Sequence, residues 1–300
     1  MISMNLKPYL LAIMAVILLF GCVSNQEQTK NDKIIVAVTI VPQAEFLEKI
    51  GGDKVEIVLM VPPGASPHTY EPTPQQLEGM NNAVMYAQVG SGVEFELAWM
   101  DDLASLNENM LIVDCSNGIE LIETEEHNEH ESEDGHLHGG TDPHIWTSPE
   151  NVKIMVENIY NGLVEVDPEN SEYYEQNKDT YLKELEVLNR NIIASFEGKQ
   201  NRKFIVYHPA WAYFADEYGL EQVPIEEEGK EPTPTGIANV ITLAKENNIT
   251  VVFASPEYSI ASAETIANEI DGKVLLISPL EKSYIENLQN VADAFAKHAN

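Results

Sequence analysis

Short apolar runs recur along this chain, with amphipathic stretches between them. Residues 34–40 (IIVAVTI), 55–61 (VEIVLMV), 83–90 (AVMYAQVG) and 110–115 (MLIVDC) read as strands, with helical stretches between several of them. A second set follows at 203–207 (KFIVY), 220–225 (LEQVPI), 249–254 (ITVVFA) and 273–277 (KVLLI), separated by helical candidates at 210–218, 235–247 and 261–270. Strands alternating with helices predict an α/β fold. Because the plan occurs twice, the prediction is two α/β lobes, each with a mostly parallel sheet.

Between the two sets, Tyr174, Tyr181, Leu185, Leu188, Ile192 and Phe196 fall at helical spacings, with Glu and Lys on the other face. Pro168 near the start and Gly198 at the end bracket one long helix over 167–198. This places an N-terminal lobe at 33–166 and a C-terminal lobe at 199–300. A continuous helix is a stiff joint, so lobe closure is expected to be modest.

The N-terminus changes the setting. Lys7 precedes an apolar run from Tyr9 to Phe20 that is too short to cross a bilayer core of about 30 Å. Residues 1–21 therefore read as a signal peptide. The run ends in Leu19-Phe20-Gly21-Cys22, which resembles a lipobox with an unusually bulky Phe20, and 22–32 is a polar tether. Cys22 is the expected lipid anchor, and an ordinary cleaved secretory peptide is the alternative. With Cys22 so used, Cys115 has no partner and reads as a buried small hydrophobe.

A formal net charge of -32 argues against nucleic acid and anionic surfaces as partners, because neutralising phosphate needs clustered Lys and Arg. It favours cations. Of the eight histidines, three stand beside prolines in turn-rich segments: His68 in VPPGASPHTYEP, His144 in TDPHIWTSPENV and His208 in KFIVYHPAWAYF. Each falls at a strand end or before a helix, and in open parallel sheets ligands bind outside the carboxyl ends of the strands. With the first two on one lobe and His208 on the other, the three are candidates to converge on a metal ion between the lobes. His298 is expected to lie in a frayed C-terminus. Tyr70, Trp146, Trp211, Tyr213 and Phe214 flank the three histidines and read as packing. Asp142 reads as a cap of the His144 turn, or else as a hydrogen-bond partner of its ring.

The phrases VAVTIVPQAEFLEKIGGDKVEI, PPGASPHTYEPTPQQL, DPHIWTSPENV, FIVYHPAWAYFADEYGL, GKEPTPTGIANVITLAKENNITVVFASPEYS and KVLLISPL occur in this order over essentially the whole mature chain. They resemble the zinc and manganese receptors of ABC transporters, the ZnuA or TroA type of solute-binding protein. The resemblance implies two α/β lobes joined by one long helix and metal ligation by His68, His144 and His208. It also implies delivery of the metal to ABC permease subunits, with no catalytic activity. Many relatives carry an aspartate ligand where this chain has Ser278, so a water or Glu257 is left as the candidate fourth ligand. Three nitrogens and at most one oxygen favour Zn2+ over Mn2+, which prefers oxygen-rich shells.

The stretch 123–138 (ETEEHNEHESEDGHLH) holds four histidines and seven acids in sixteen residues, so the segment 123–140 is expected to be a disordered surface loop that gathers zinc weakly. A secreted zinc hydrolase is a rival, since three histidines and a water also describe a catalytic site. The chain has neither an HExxH helix nor a Gly-x-Ser-x-Gly elbow. An adhesin is a second rival, which no sequence feature supports. The combined expectation is a monomeric zinc receptor on the outer face of the cell membrane, with a manganese receptor of the same family as the alternative.

Overall fold

All eight strands lie inside the apolar runs, in a computed structural model that describes residues 33–124, 140–226 and 230–299. The signal segment 1–21, the Cys22 anchor, the tether 22–32 and residues 125–139 of the histidine-rich segment lie outside the described residues. The first sheet contains β1 (Ile34–Val38), β2 (Val55–Leu59), β3 (Met85–Gln88) and β4 (Leu111–Asp114) in the order β2-β1-β3-β4. The second contains β5 (Lys203–Val206), β6 (Glu221–Pro224), β7 (Val251–Ala254) and β8 (Lys273–Leu276) in the order β6-β5-β7-β8. Every pairing is parallel. The plan is thus the same in both sheets, with a reversal of winding between β1 and β3 and between β5 and β7.

Helices α1 (Val41–Gly51), α2 (Pro74–Met80), α3 (Glu94–Leu106) and α4 (Pro149–Val166) accompany the first sheet. Helices α6 (Ala212–Tyr218), α7 (Pro234–Glu246), α8 (Ala261–Glu269) and α9 (Tyr284–His298) accompany the second. Between them runs α5 (Ser171–Ser195), which buries Tyr174, Tyr181, Leu185, Leu188 and Ile192. This is the stripe that the spacing predicts. It packs on α1 and α4 at one end of the chain and on α9 at the other.

Because α5 touches both lobes, one apolar core runs from the first sheet (Val36, Val38, Met85, Ala87) through Leu185 and Leu188 to Phe204, Phe253 and Phe295. A smaller core of Ile205, Val252, Ala263 and Ile266 fills the other face of the second sheet. Polar contacts stitch the lobes as well. Trp146 Nε1 donates to the Pro279 carbonyl at 2.8 Å, the Tyr213 hydroxyl donates to the Asp142 carbonyl at 2.9 Å, and Lys282 pairs with Glu48 at 2.8 Å. Cys115 is buried and free, as expected. Trp146, Trp211, Tyr213 and Phe214 are buried packing residues.

The sequence reading of His298 needs correction. It is the last residue of α9 rather than part of a frayed tail, because Leu288, Val291, Ala292, Phe295 and Ala296 form a buried stripe that anchors the helix to its end. No helix among the described residues is long and apolar enough to cross a membrane.

The end of β3 is fixed by a buried carboxylate. Glu96, in the first turn of α3, accepts from the N–H groups of Val89 at 2.6 Å and Gly90 at 2.9 Å, and it also bonds Thr39 Oγ1. Burial pushes its pKa up, against those hydrogen bonds. Gly90 itself has φ 83, and a Cβ there would overlap the Asp114 carboxylate, which Ser116 holds through its N–H and hydroxyl. Gly90→Ala is therefore expected to cost about 2 kcal/mol or more. Thermal unfolding of the metal-free protein checks this, and an unchanged Tm would contradict it.

Candidate metal centre

Three loops at carboxyl ends of strands deliver the three histidines. The loop after β2 turns through Pro62-Pro63-Gly64, and the Ser66 hydroxyl accepts from the His68 N–H at 3.3 Å. The N–H of Phe95 donates to the Pro67 carbonyl at 3.0 Å, which ties the start of α3 to this loop. Glu94 is thereby brought against His68, its carboxylate 2.7 Å from Nδ1.

His144 stands just before a 3-10 turn at Ile145–Thr147, and the Ser148 hydroxyl then caps α4 by accepting from the Asn151 N–H. Asp142 Oδ1 accepts from the His144 N–H at 2.8 Å and lies 2.9 Å from Nδ1 of its ring. The two readings of Asp142 are therefore both realised by one oxygen. His208 follows β5, and Glu226 follows the neighbouring β6. Since Val206 is registered with Pro224, the two side chains emerge side by side, and His208 Nδ1 lies 2.9 Å from Glu226 Oε2.

Each imidazole thus has a carboxylate on Nδ1. An ionised carboxylate only accepts, so each Nδ1 carries its proton and donates, leaving the Nε2 lone pair free. One ring nitrogen from each histidine lies within 4.8 Å of the others. His144 Nε2 and His208 Nε2 are 3.3 Å apart. Two lone pairs at that separation repel unless a cation lies between them. Tetrahedral zinc with Zn–N bonds of about 2.0–2.1 Å places its nitrogens about 3.3 Å apart, so the spacing fits that ion.

The surroundings are dry on two sides. The side chains of His144 and His208 are 6% and 11% exposed, against 20% for His68, so the site opens toward the His68 loop. Burial pulls the His208 pKa below its ordinary value, and Glu226 only partly offsets this. Burial pushes Glu94 up, but its hydrogen bond to His68 outweighs this and leaves it lowered. The three carboxylates surround neutral imidazoles with negative charge, which favours a cation at the Nε2 atoms.

Glu257 does not join the cluster. Its carboxylate is held by the hydroxyls of Ser255 and Ser278, the latter at 2.7 Å. Sequence reasoning missed Glu94 and Glu226, which are far from their histidines in the chain. Strand pairing brings Glu226 to His208, and the bond from Phe95 to Pro67 helps bring Glu94 to His68.

The chain has relatives of known kind. A family model described as zinc-uptake complex component A, periplasmic, matches residues 36–298. The high-affinity zinc uptake system protein ZnuA of Bacillus subtilis is 34% identical over 259 residues, covering 84% of this chain and 80% of its own. The zinc-binding lipoprotein AdcA of Streptococcus pneumoniae is 29% identical over 279 residues, covering 91% of this chain and 54% of its own, so this chain spans about half of that relative. Among solved structures, a crystal structure of ZnuA superposes with a TM-score of 0.83 at 42% identity, covering 90% of this chain and 100% of that one. The laminin-binding protein Lmb of Streptococcus agalactiae shares the fold, with a TM-score of 0.77 at 24% identity over 89% of this chain and 100% of its own. The chain belongs to the ZnuA family, zinc-uptake complex component A.

Proposed function

We propose that this protein is an extracytoplasmic receptor that binds Zn2+ through Nε2 of His68, His144 and His208 and delivers it to the permease of an ABC transporter. The observation that carries the reading is the carboxylate on every Nδ1, which orients three imidazoles toward one point before any metal arrives. Such partners fix the tautomer and raise the basicity of the ring. A nitrogen-only set suits zinc better than manganese. Zinc uptake is also what the names of the Bacillus subtilis and pneumococcal relatives describe. Zinc here is cargo, and the family is one of binding proteins rather than enzymes. A water completes the coordination shell, while Glu257 stays with its two serines.

Cys22 carries the lipid that tethers the chain to the outer face of the membrane, and the receptor works as a monomer. The histidine-rich segment 123–140 collects zinc loosely. Because each ligating imidazole must be neutral, protons compete with the metal.

Competitive calorimetric titration of the metal-stripped protein tests this reading. One tight zinc site is expected, lost on replacing His68, His144 or His208 by Ala. Deleting 123–140 is expected to remove only weak sites, and an equal loss from the deletion would move the main site into that segment. Glu226→Ala is expected to weaken zinc binding about 10–100-fold by releasing the His208 ring, and wild-type affinity in that variant would remove the carboxylate from the account. Affinity is expected to fall as the pH drops below about 6.5. Burial lowers the His208 pKa, so this ring stays neutral to a lower pH than a free imidazole does. Affinity that stays constant down to pH 5 would exclude imidazole ligation.

A further inference from the structure

The loop after β7 places a tyrosine over the histidine cluster. Tyr258 stacks on the His208 ring with centroids 4.5 Å apart and an interplanar angle of 26°, and its centroid lies 6.4 Å from that of His68. It therefore spans the ring from the second lobe and the ring on the more exposed side of the site. Across the cleft its hydroxyl faces that of Ser66 in the His68 loop. Beside His208 the second lobe holds a void of ≈ 10 Å³, lined by Val206, Trp211, Phe253 and Ser255 among others, at the lower limit for a single water.

The turn that carries Tyr258 is itself braced. Its N–H donates to the Ser255 carbonyl at 3.2 Å, and Glu257 accepts from the hydroxyls of Ser255, at the end of β7, and Ser278, just past the end of β8. A carboxylate clamped between two strand ends holds the turn down, which accounts for the placement of Glu257 away from the histidines. Ser278 serves the same brace.

From this geometry we infer that Tyr258 is an aromatic lid over the zinc site, with Ser255, Glu257 and Ser278 as its positioning residues, so that zinc enters and leaves by displacing this turn. The inference rests on the proposed three-histidine site. A ring contact of this kind is worth about 0.5–1.5 kcal/mol, or about twofold to tenfold in a rate.

Stopped-flow kinetics on the full chain carrying one equivalent of Zn2+, with chelator in excess for release and a zinc pulse for capture, test the lid. Tyr258→Ala is expected to raise both rates by about fivefold, leaving affinity changed by less than either rate, whereas Tyr258→Phe stays within about twofold of wild type. Glu257→Ala, which keeps the ring but frees the turn, is expected to accelerate both rates as well. Wild-type rates in Tyr258→Ala would overturn the lid. So would acceleration of release alone, which would make the ring a support for His208, or a Tyr258→Phe variant as fast as the alanine one, which would assign the effect to the hydroxyl. Wild-type rates in Glu257→Ala would remove the brace. If the histidine variants retain tight zinc, the site itself is misplaced; if they lose it while Tyr258→Ala behaves as wild type, only the lid fails.

Discussion

The hydrogen bond from each imidazole Nδ1 to a carboxylate is the constraint on which the rest of the centre depends. Without it a histidine can present either nitrogen and rotate about its side-chain bonds, and a metal would have to supply the free energy of ordering three such rings. Glu94, Asp142 and Glu226 remove that cost in advance, at 2.7, 2.9 and 2.9 Å from His68, His144 and His208. They also set the local charge, which is negative around the three rings and favours a cation there. Each carboxylate comes from the same lobe as its histidine, so each lobe carries its share of the centre fully prepared.

Preparation of the rings matters only if the lobes hold them in register. Here the lobes share an apolar core through α5, and Trp146, Tyr213 and Lys282 add polar ties across the cleft. Opening the lobes widely would expose part of that core, which is costly at about 25 cal/mol per Å² of apolar surface. Small movements of loops at the mouth of the site are a cheaper route for an ion than a wide hinge. The turn bearing Tyr258 lies at that mouth, braced by Ser255, Glu257 and Ser278 and packed through the Tyr258 ring on His208 and Tyr207.

Much of this was legible in the sequence, and the exceptions have physical causes. The central strands β1, β3, β5 and β7 are largely buried and the edge strands β2, β4, β6 and β8 only partly so, yet all eight fall inside short apolar runs, and the stripe from Tyr174 to Ile192 announced α5. The histidines stood out because each sits beside a proline at a strand end or a helix start. Asp142 was visible as well, since a residue two positions away can reach both a backbone N–H and a ring. Glu94 and Glu226 were not, because their partnership depends on which strand lies beside which. The register of Val206 with Pro224 places Glu226 opposite His208, but that register is not written in either segment alone. Glu257 was left open beside a water as a fourth ligand for a related reason: its hydrogen-bond partners, Ser255 and Ser278, are not visible in the sequence. The burial of α9 through to His298 likewise depends on the partner surface that receives its stripe.

Anomalous diffraction at the zinc edge from crystals of the zinc-loaded protein addresses the centre most directly. The expected result is one strong peak bonded to Nε2 of His68, His144 and His208 at about 2.0–2.1 Å, with every Nδ1 still on its carboxylate. A peak bonded through any Nδ1, or one lying away from the three rings, would contradict it.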